Sequence, residues 1–159
     1  MVVSPQDSFM KTPMGIQPMP SSQREDSMNG IKRGVWSIAQ HMSDPQYIFS
    51  AQGTEKIGDV EAAVLDVRAG AQQFRWYVDP KTGYVLREQY QATGQSGPET
   101  RVVDLSEYKA VDGITVPFHV EVTINGTPAI SVAASSYEFN PTIDPKIFEK
   151  PAGSGGGAQ

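Results

Sequence analysis

The stretch Gln73 to Tyr90, QFRWYVDPKTGYVLREQY, constrains the fold more than any other. Phe74, Trp76 and Val78 fall on one side of an extended chain, and Arg75, Tyr77 and Asp79 on the other. After Asp79-Pro80-Lys81-Thr82-Gly83, Tyr84, Leu86 and Tyr90 alternate with Val85, Arg87 and Gln89. Period two on both sides of a proline- and glycine-bearing turn predicts a β-hairpin. Proline presets one turn position and glycine supplies a positive φ near the end.

Strand patterns continue on both sides of this hairpin. Tyr47 to Thr54 and Val60 to Arg68 precede it, joined by a turn over Lys56 to Asp59; Leu65 and Val67 share a face. Gln91 to Pro98 reads as a polar loop and Glu99 to Tyr108 as the next strand. Asp112-Gly113 and Asn125-Gly126 are hairpin turns. Between them, Val116, Phe118, Val120, Val122 and Ile124 alternate with polar residues. Ala129 to Phe139 returns, and the phase change at Tyr137 predicts a bulge near Ser135-Ser136. Short connections between successive strands predict an antiparallel meander.

Ser21 to Met42 is the one predicted helix. Ser22 with Glu25 fits a capping box, and Met28, Ile31, Val35, Ile38 and Met42 form one apolar stripe. Gly30 and Gly34 each cost roughly 1 kcal/mol against alanine, and they leave room for close approach. The stripe predicts a helix over the apolar face of the sheet, whether by plain packing or as the roof of a cavity. Upstream, a short strand is expected near Asp7 to Lys11, then an irregular proline-rich segment. Met10, Met14 and Met19 read as adaptable apolar filler in preference to a thioether copper site. Asn140 to Pro151 is expected to form a helical turn docking Ile147 and Phe148 on the sheet, and the glycine-rich 152–159 to be disordered.

The bulk numbers exclude some chemistry. With 159 residues the chain is long enough for a real core. Its 13 basic and 18 acidic side chains give a net charge of −5, which argues against general nucleic-acid binding. The absence of cysteine excludes disulfides and thiolate catalysis. No window approaches the roughly 18 apolar residues of a membrane helix. The first residues, MVVSPQDSF, show no signal peptide, which fits either a cytosolic protein or a fragment whose export signal lay upstream; the direct opening into strand-like residues favours the fragment.

No catalytic set emerges. His41 and His119 lack an evident partner, and no nucleophile elbow, phosphate loop or dinucleotide fingerprint occurs. Asp66 with Asp79, or Glu88 with Glu121, are candidate carboxylate pairs, though charges on a wet sheet face explain them as well. Asp104 and Glu107 near Tyr108 read the same way. Arg75, Arg87 and Arg101 are expected to share that face in an ion-pair ladder. No metal or cofactor is expected.

The motifs then resemble a known family. YVDPKTGYVLREQY carries a "DP-x-TG" hairpin; Tyr108 to Phe118 carries "Y-x-x-VDGI-x-VPF"; Asn140 to Pro151 carries "N-P-x-(I/V)-D-x-x-x-F-x-x-P". Together with SPQDSFMKTPMG these resemble the outer membrane lipoprotein-sorting, LolA-like half-barrels, in the form appended to some bacterial insulinase-type zinc peptidases. The match covers most of residues 1–151. The resemblance implies a mainly β, α+β fold: a curved antiparallel sheet, or half-barrel, with one helix over its apolar concave face. It implies one domain over 1–151, lacking the family's first strands, in the periplasm or another extracytoplasmic space. The peptidase signature His-x-x-Glu-His is absent, so the domain is expected to be non-catalytic. The expected function is binding of a lipid or acylated protein through Leu65, Phe74, Trp76, Val78, Phe118, Val120 and Val122 on the sheet and Met28, Ile31 and Val35 on the helix. The alternative is an interaction domain that packs on a peptidase domain or a second copy of itself.

Overall fold

A computed structural model describes residues 2–3, 8–13, 15–94 and 97–149. Asp7, Met14, the Ser22 side chain with its capping box, and the tail 152–159 lie outside the described residues. The chain divides into two compact units, Met1–Lys32 with Asn140–Gln159, and Arg33–Phe139.

In the smaller unit, β1 (Val2–Val3), β2 (Ser8–Thr12) and β3 (Gly15–Pro18) form an antiparallel sheet in that order. Phe9 and Met19 are buried, and the Met19 amide donates to the Ser8 carbonyl at 3.1 Å. Met19 is thus apolar filler, while Met10 is half-buried. Helix α1 (Ser21–Arg33) follows. A 3₁₀ turn, η1 (Pro145–Phe148), is capped by Asp144, whose Oδ1 accepts from the Lys146 amide at 2.9 Å. The helical turn expected there exists, and Ile147 and Phe148 on it are exposed.

The larger unit is the meander. Strands β4 (Tyr47–Ile57), β5 (Val60–Ala69), β6 (Gln72–Val78), β7 (Val85–Gly94), β8 (Gly97–Val111), β9 (Ile114–Ile124) and β10 (Thr127–Ala133) lie side by side in chain order, all antiparallel. The sheet is open and half-barrel-like, and the fold is mainly β, as expected. Two of its two-residue hairpin loops are Asp112-Gly113 and Asn125-Gly126, with φ of 50° and 80°, and 50° and 79°. Such turns need positive φ at both central residues, which Asx-Gly supplies most cheaply.

Several local expectations change. The polar run Gln91 to Pro98 is largely strand: β7 continues to Gly94 and β8 resumes at Gly97. Tertiary pairing here overrides composition. The bulge in the last strand falls between Pro128 and Ile130 instead of at Ser135-Ser136; proline lacks the ladder donor, which interrupts the pairing. The helix is also two helices. Gly34 adopts φ −56°, ψ 137° and separates α1 from α2 (Val35–Gln40). The low helical propensity of glycine makes it the weakest point of the run. The five-residue stripe is therefore not one face of one rod.

Alternation sorts the sheet into two faces. On one, Ile38 of α2 packs with Val67, Ala69, Phe74, Trp76 and Val85, flanked by Tyr47, Leu65, Val78, Tyr90 and Leu105. Ile38 is 2% exposed, and burying such a side chain contributes about 1.5–3 kcal/mol. On the other, Ala62, Val64 and Tyr77 form a smaller cluster with Ile57 and Leu86. The register shift between Tyr77 and Val78 puts Val85 opposite Val78. Val85 thus joins the main core while Leu86 leaves it, the reverse of the simple alternation.

Candidate functional site

Pairing across the meander sets Ala51, Leu65, Trp76, Glu88, Val103, Val122 and Ile130 opposite one another, strand by strand. Glu88 is the only charged member of this row. Its Oε2 accepts a hydrogen bond from Trp76 Nε1 at 2.9 Å. Its Oε1 lies 3.4 Å from Arg33 Nε, in ion-pair range, while that Nε makes no well-directed hydrogen bond. The Arg33 side chain is only 6% exposed and the Glu88 side chain 15%. Arg33 donates through Nη1 to Gln72 Oε1 at 3.0 Å, and its guanidinium carbon stands 3.7 Å from the centre of the Tyr90 ring. Burial raises the Glu88 pKa above the ordinary carboxylate value; the Trp76 hydrogen bond and then Arg33, through its charge and a weak, long contact with the carboxylate, oppose that rise.

Glu88 also lines a cavity of about 360 Å³. The other walls are mostly apolar: Val35 and Trp36 from α2, Val85 from β7, Val103 and Leu105 from β8, with Tyr84, Tyr108, Thr115 and Pro117 closing one side. The Tyr84 and Tyr108 rings stack at 4.4 Å, and Tyr108 Oη donates to the Val85 carbonyl at 2.6 Å. Burial, helped by Tyr84, pushes the Tyr108 phenol up to about 12, so it stays neutral. Tyr108 and Pro117 share this cavity with Val103 and Leu105, although strict alternation would place them on the opposite face. Glu107, at φ 53° in the left-handed region, lies between the two sets and interrupts the alternation.

The residues expected to bind ligand are dispersed. Val35 lines the cavity. Phe74 and Trp76 are buried in the main core, 5.6 Å apart, with Leu65 and Val78 packed beside them. Val120 and Val122 are half-buried and pair with Leu105 and Val103, which line the cavity. Phe118 faces Tyr137 edge-on at 5.1 Å and sits 4.5 Å from Lys109 Nζ, outside the cavity lining. Met28 and Ile31 belong to the smaller unit, where Met28 is half-buried and Ile31 exposed.

The polar face behaves as a wet sheet surface. Arg75 makes two hydrogen bonds to Asp66, at 2.6 and 3.1 Å, and Arg87 makes two to Asp104, at 2.6 and 3.0 Å. Arg101 does not join them: it pairs opposite Tyr90, on the core side, and binds Glu99 at 2.6 Å. The proposed carboxylate pairs do not form. Asp79 caps its own turn through the Lys81 amide and the Thr82 hydroxyl, while Asp66 is engaged by Arg75. Glu121 pairs opposite Asp104, on the face away from Glu88. Glu107 lies 3.7 Å from Lys109. His41 Nδ1 donates to the Ser37 carbonyl at 2.6 Å, and His119 meets Glu121 at 3.2 Å. Among the described residues no three His, Cys, Asp or Glu gather as a metal site, and no helix is long and apolar enough to cross a membrane.

Sequence reasoning missed Glu88 and Arg33 as a unit. The signal for Glu88 was its parity with Tyr90, an acid on an apolar phase. Arg33 carried none, because its role depends on the chain break at Gly34. These features define an open antiparallel half-barrel-like sheet with a small, mostly apolar cavity beside a short helix. No family model, no curated protein and no solved structure matches the chain, and the LolA-like resemblance rests on its sequence motifs.

Proposed function

We propose that this chain is a non-catalytic binding domain that takes an apolar chain of a lipid or lipidated protein. The observation that carries this reading is the cavity bounded by Val35, Trp36, Val103 and Leu105. Its volume, about 360 Å³, falls within the range of small-molecule sites. The adjoining part of that face is packed by Ile38, Phe74 and Trp76, and the larger cavity of about 640 Å³ is lined by Asp66, Arg68, Arg75 and Gln89 among others, which suits an apolar chain less well. A periplasmic or other extracytoplasmic setting belongs to the same proposal and is supported by the LolA-like motifs.

The test is titration with N-phenylnaphthylamine, an uncharged probe that brightens in apolar surroundings. The expected result is saturable brightening in the natural protein and its loss in Leu105→Trp, which fills the cavity, with circular dichroism unchanged. No brightening, or the same brightening in the folded variant, contradicts the reading.

A second reading has its own observation. All of β10 is exposed, with Ile130 55% and Val132 50% accessible on an edge strand. Open apolar edges invite strand pairing. An interaction domain for a peptidase domain or a second copy would use this edge. A concentration-dependent dimer abolished by Val132→Lys, with no probe binding, would favour it over the first.

A further inference from the structure

We infer that the cavity selects an uncharged, hydrogen-bond-donating head group, a hydroxyl on an alkyl chain, over an anionic or a cationic one. The inference rests on the binding role proposed above and adds the chemistry of the ligand.

Three observations lead there. First, Glu88 is the one cavity-lining residue with an ionisable carboxyl or a basic group. Second, the guanidinium beside it is not offered to the cavity. Arg33 is absent from the lining and is held by Gln72 and by the face of Tyr90. Third, Glu88 is only partly satisfied. Trp76 serves Oε2, whereas Oε1 meets Arg33 at 3.4 Å without a well-directed hydrogen bond. A carboxylate has about four acceptor sites, so Glu88 can take a further donor from the cavity side.

Charge decides between the candidate heads. Arg33 and Glu88 already balance, so either ion would bring an uncompensated charge into a poorly hydrated site. An anionic head would also face the Glu88 carboxylate directly, as like charges in low dielectric. An ammonium would bond Glu88 well but would leave two cations against one anion. A hydroxyl donates to Oε1 and adds no charge. Its alkyl chain lies against Val35, Val85, Val103 and Leu105.

Decanol, decanoate and decylammonium share chain length and differ in head. Each is added to the full chain at neutral pH, and tryptophan emission, from Trp36 on the cavity wall and Trp76 beside Glu88, is followed. Decanol is expected to bind at least roughly tenfold tighter than decanoate, the scale of one hydrogen bond to a charged group. Decylammonium is expected to fall between them. In Glu88→Gln the preference over decanoate is expected to collapse to within about threefold, because a neutral acceptor neither repels an anion nor binds a hydroxyl as strongly. Decanoate binding as tightly as decanol in the natural protein overturns the inference without recourse to the variant. So does a folded Glu88→Gln that keeps full discrimination. If the uncharged naphthylamine probe binds but the three heads are equal, the head-group inference fails while the binding role stands. If neither the probe nor any alkyl chain binds, both fail.

Discussion

Two arginine–carboxylate pairs on opposite faces of one sheet make an instructive contrast. Asp66 and Arg75 have near-ideal geometry, forked hydrogen bonds of 2.6 and 3.1 Å, on side chains 43% and 41% exposed. Arg33 and Glu88 have poor geometry, 3.4 Å and undirected, on side chains almost sealed from water. Well-made surface pairs contribute little because water competes and long side chains lose freedom. A buried pair is expensive unless every polar atom is served. The neat pair is therefore surface chemistry, and the untidy pair marks where the molecule carries a cost that packing alone does not require.

That contrast can be broken most sharply at Arg33. Arg33→Met should destabilise the protein by about 3 kcal/mol in urea unfolding, because it strands Glu88 without its cation. Replacing both partners, Arg33→Met with Glu88→Leu, should recover most of that loss. An additive double variant would show that the two do not form a unit. Next in size is Trp76→Phe. It removes the donor to Glu88 Oε2 and should cost about 1–3 kcal/mol, with a further rise in the Glu88 pKa. At the small end, Asp66→Asn should cost less than about 1 kcal/mol and the cost should shrink in high salt.

The same two carboxylates predict opposite pH behaviour. Burial raises Glu88 above its ordinary 4.5. Between 4.5 and its folded value the native state holds more protons than the unfolded chain, so the Glu88 contribution to stability falls as pH rises through that window. The Arg75 hydrogen bond lowers Asp66 below its ordinary 3.8. Its contribution is present above 3.8 and is lost as pH falls through the depressed folded value. Its exposure keeps that contribution small. Chemical denaturation across pH should show Glu88→Gln removing the first trend and Asp66→Asn the second.

Much of the fold was legible because turn chemistry and alternation are local. Asp112-Gly113, Asn125-Gly126 and the Asp79–Gly83 turn fixed three hairpins, and Phe74, Trp76 and Val67 pointed inward as their phase required. What escaped depends on single residues that shift phase. Gly34 splits the helix, the extra residue near Val85 and Leu86 exchanges their faces, and Glu107 interrupts β8. Periodicity averages over such points and hides them. The cavity was illegible for the same reason: its walls come from both sides of the Glu107 interruption and from α2 beyond the Gly34 break. Glu88 alone carried a readable sign, an acid in phase with Tyr90.

The most direct test follows the indole N–H resonances of Trp36 and Trp76 by NMR as decanol is added. Trp36 lines the cavity and the Trp76 indole bonds Glu88. Saturable shifts of both indoles, with the amides of Asp66 and Arg75 unmoved, are predicted. Unmoved indoles, or shifts confined to the edge strands β4 and β10, would contradict the account.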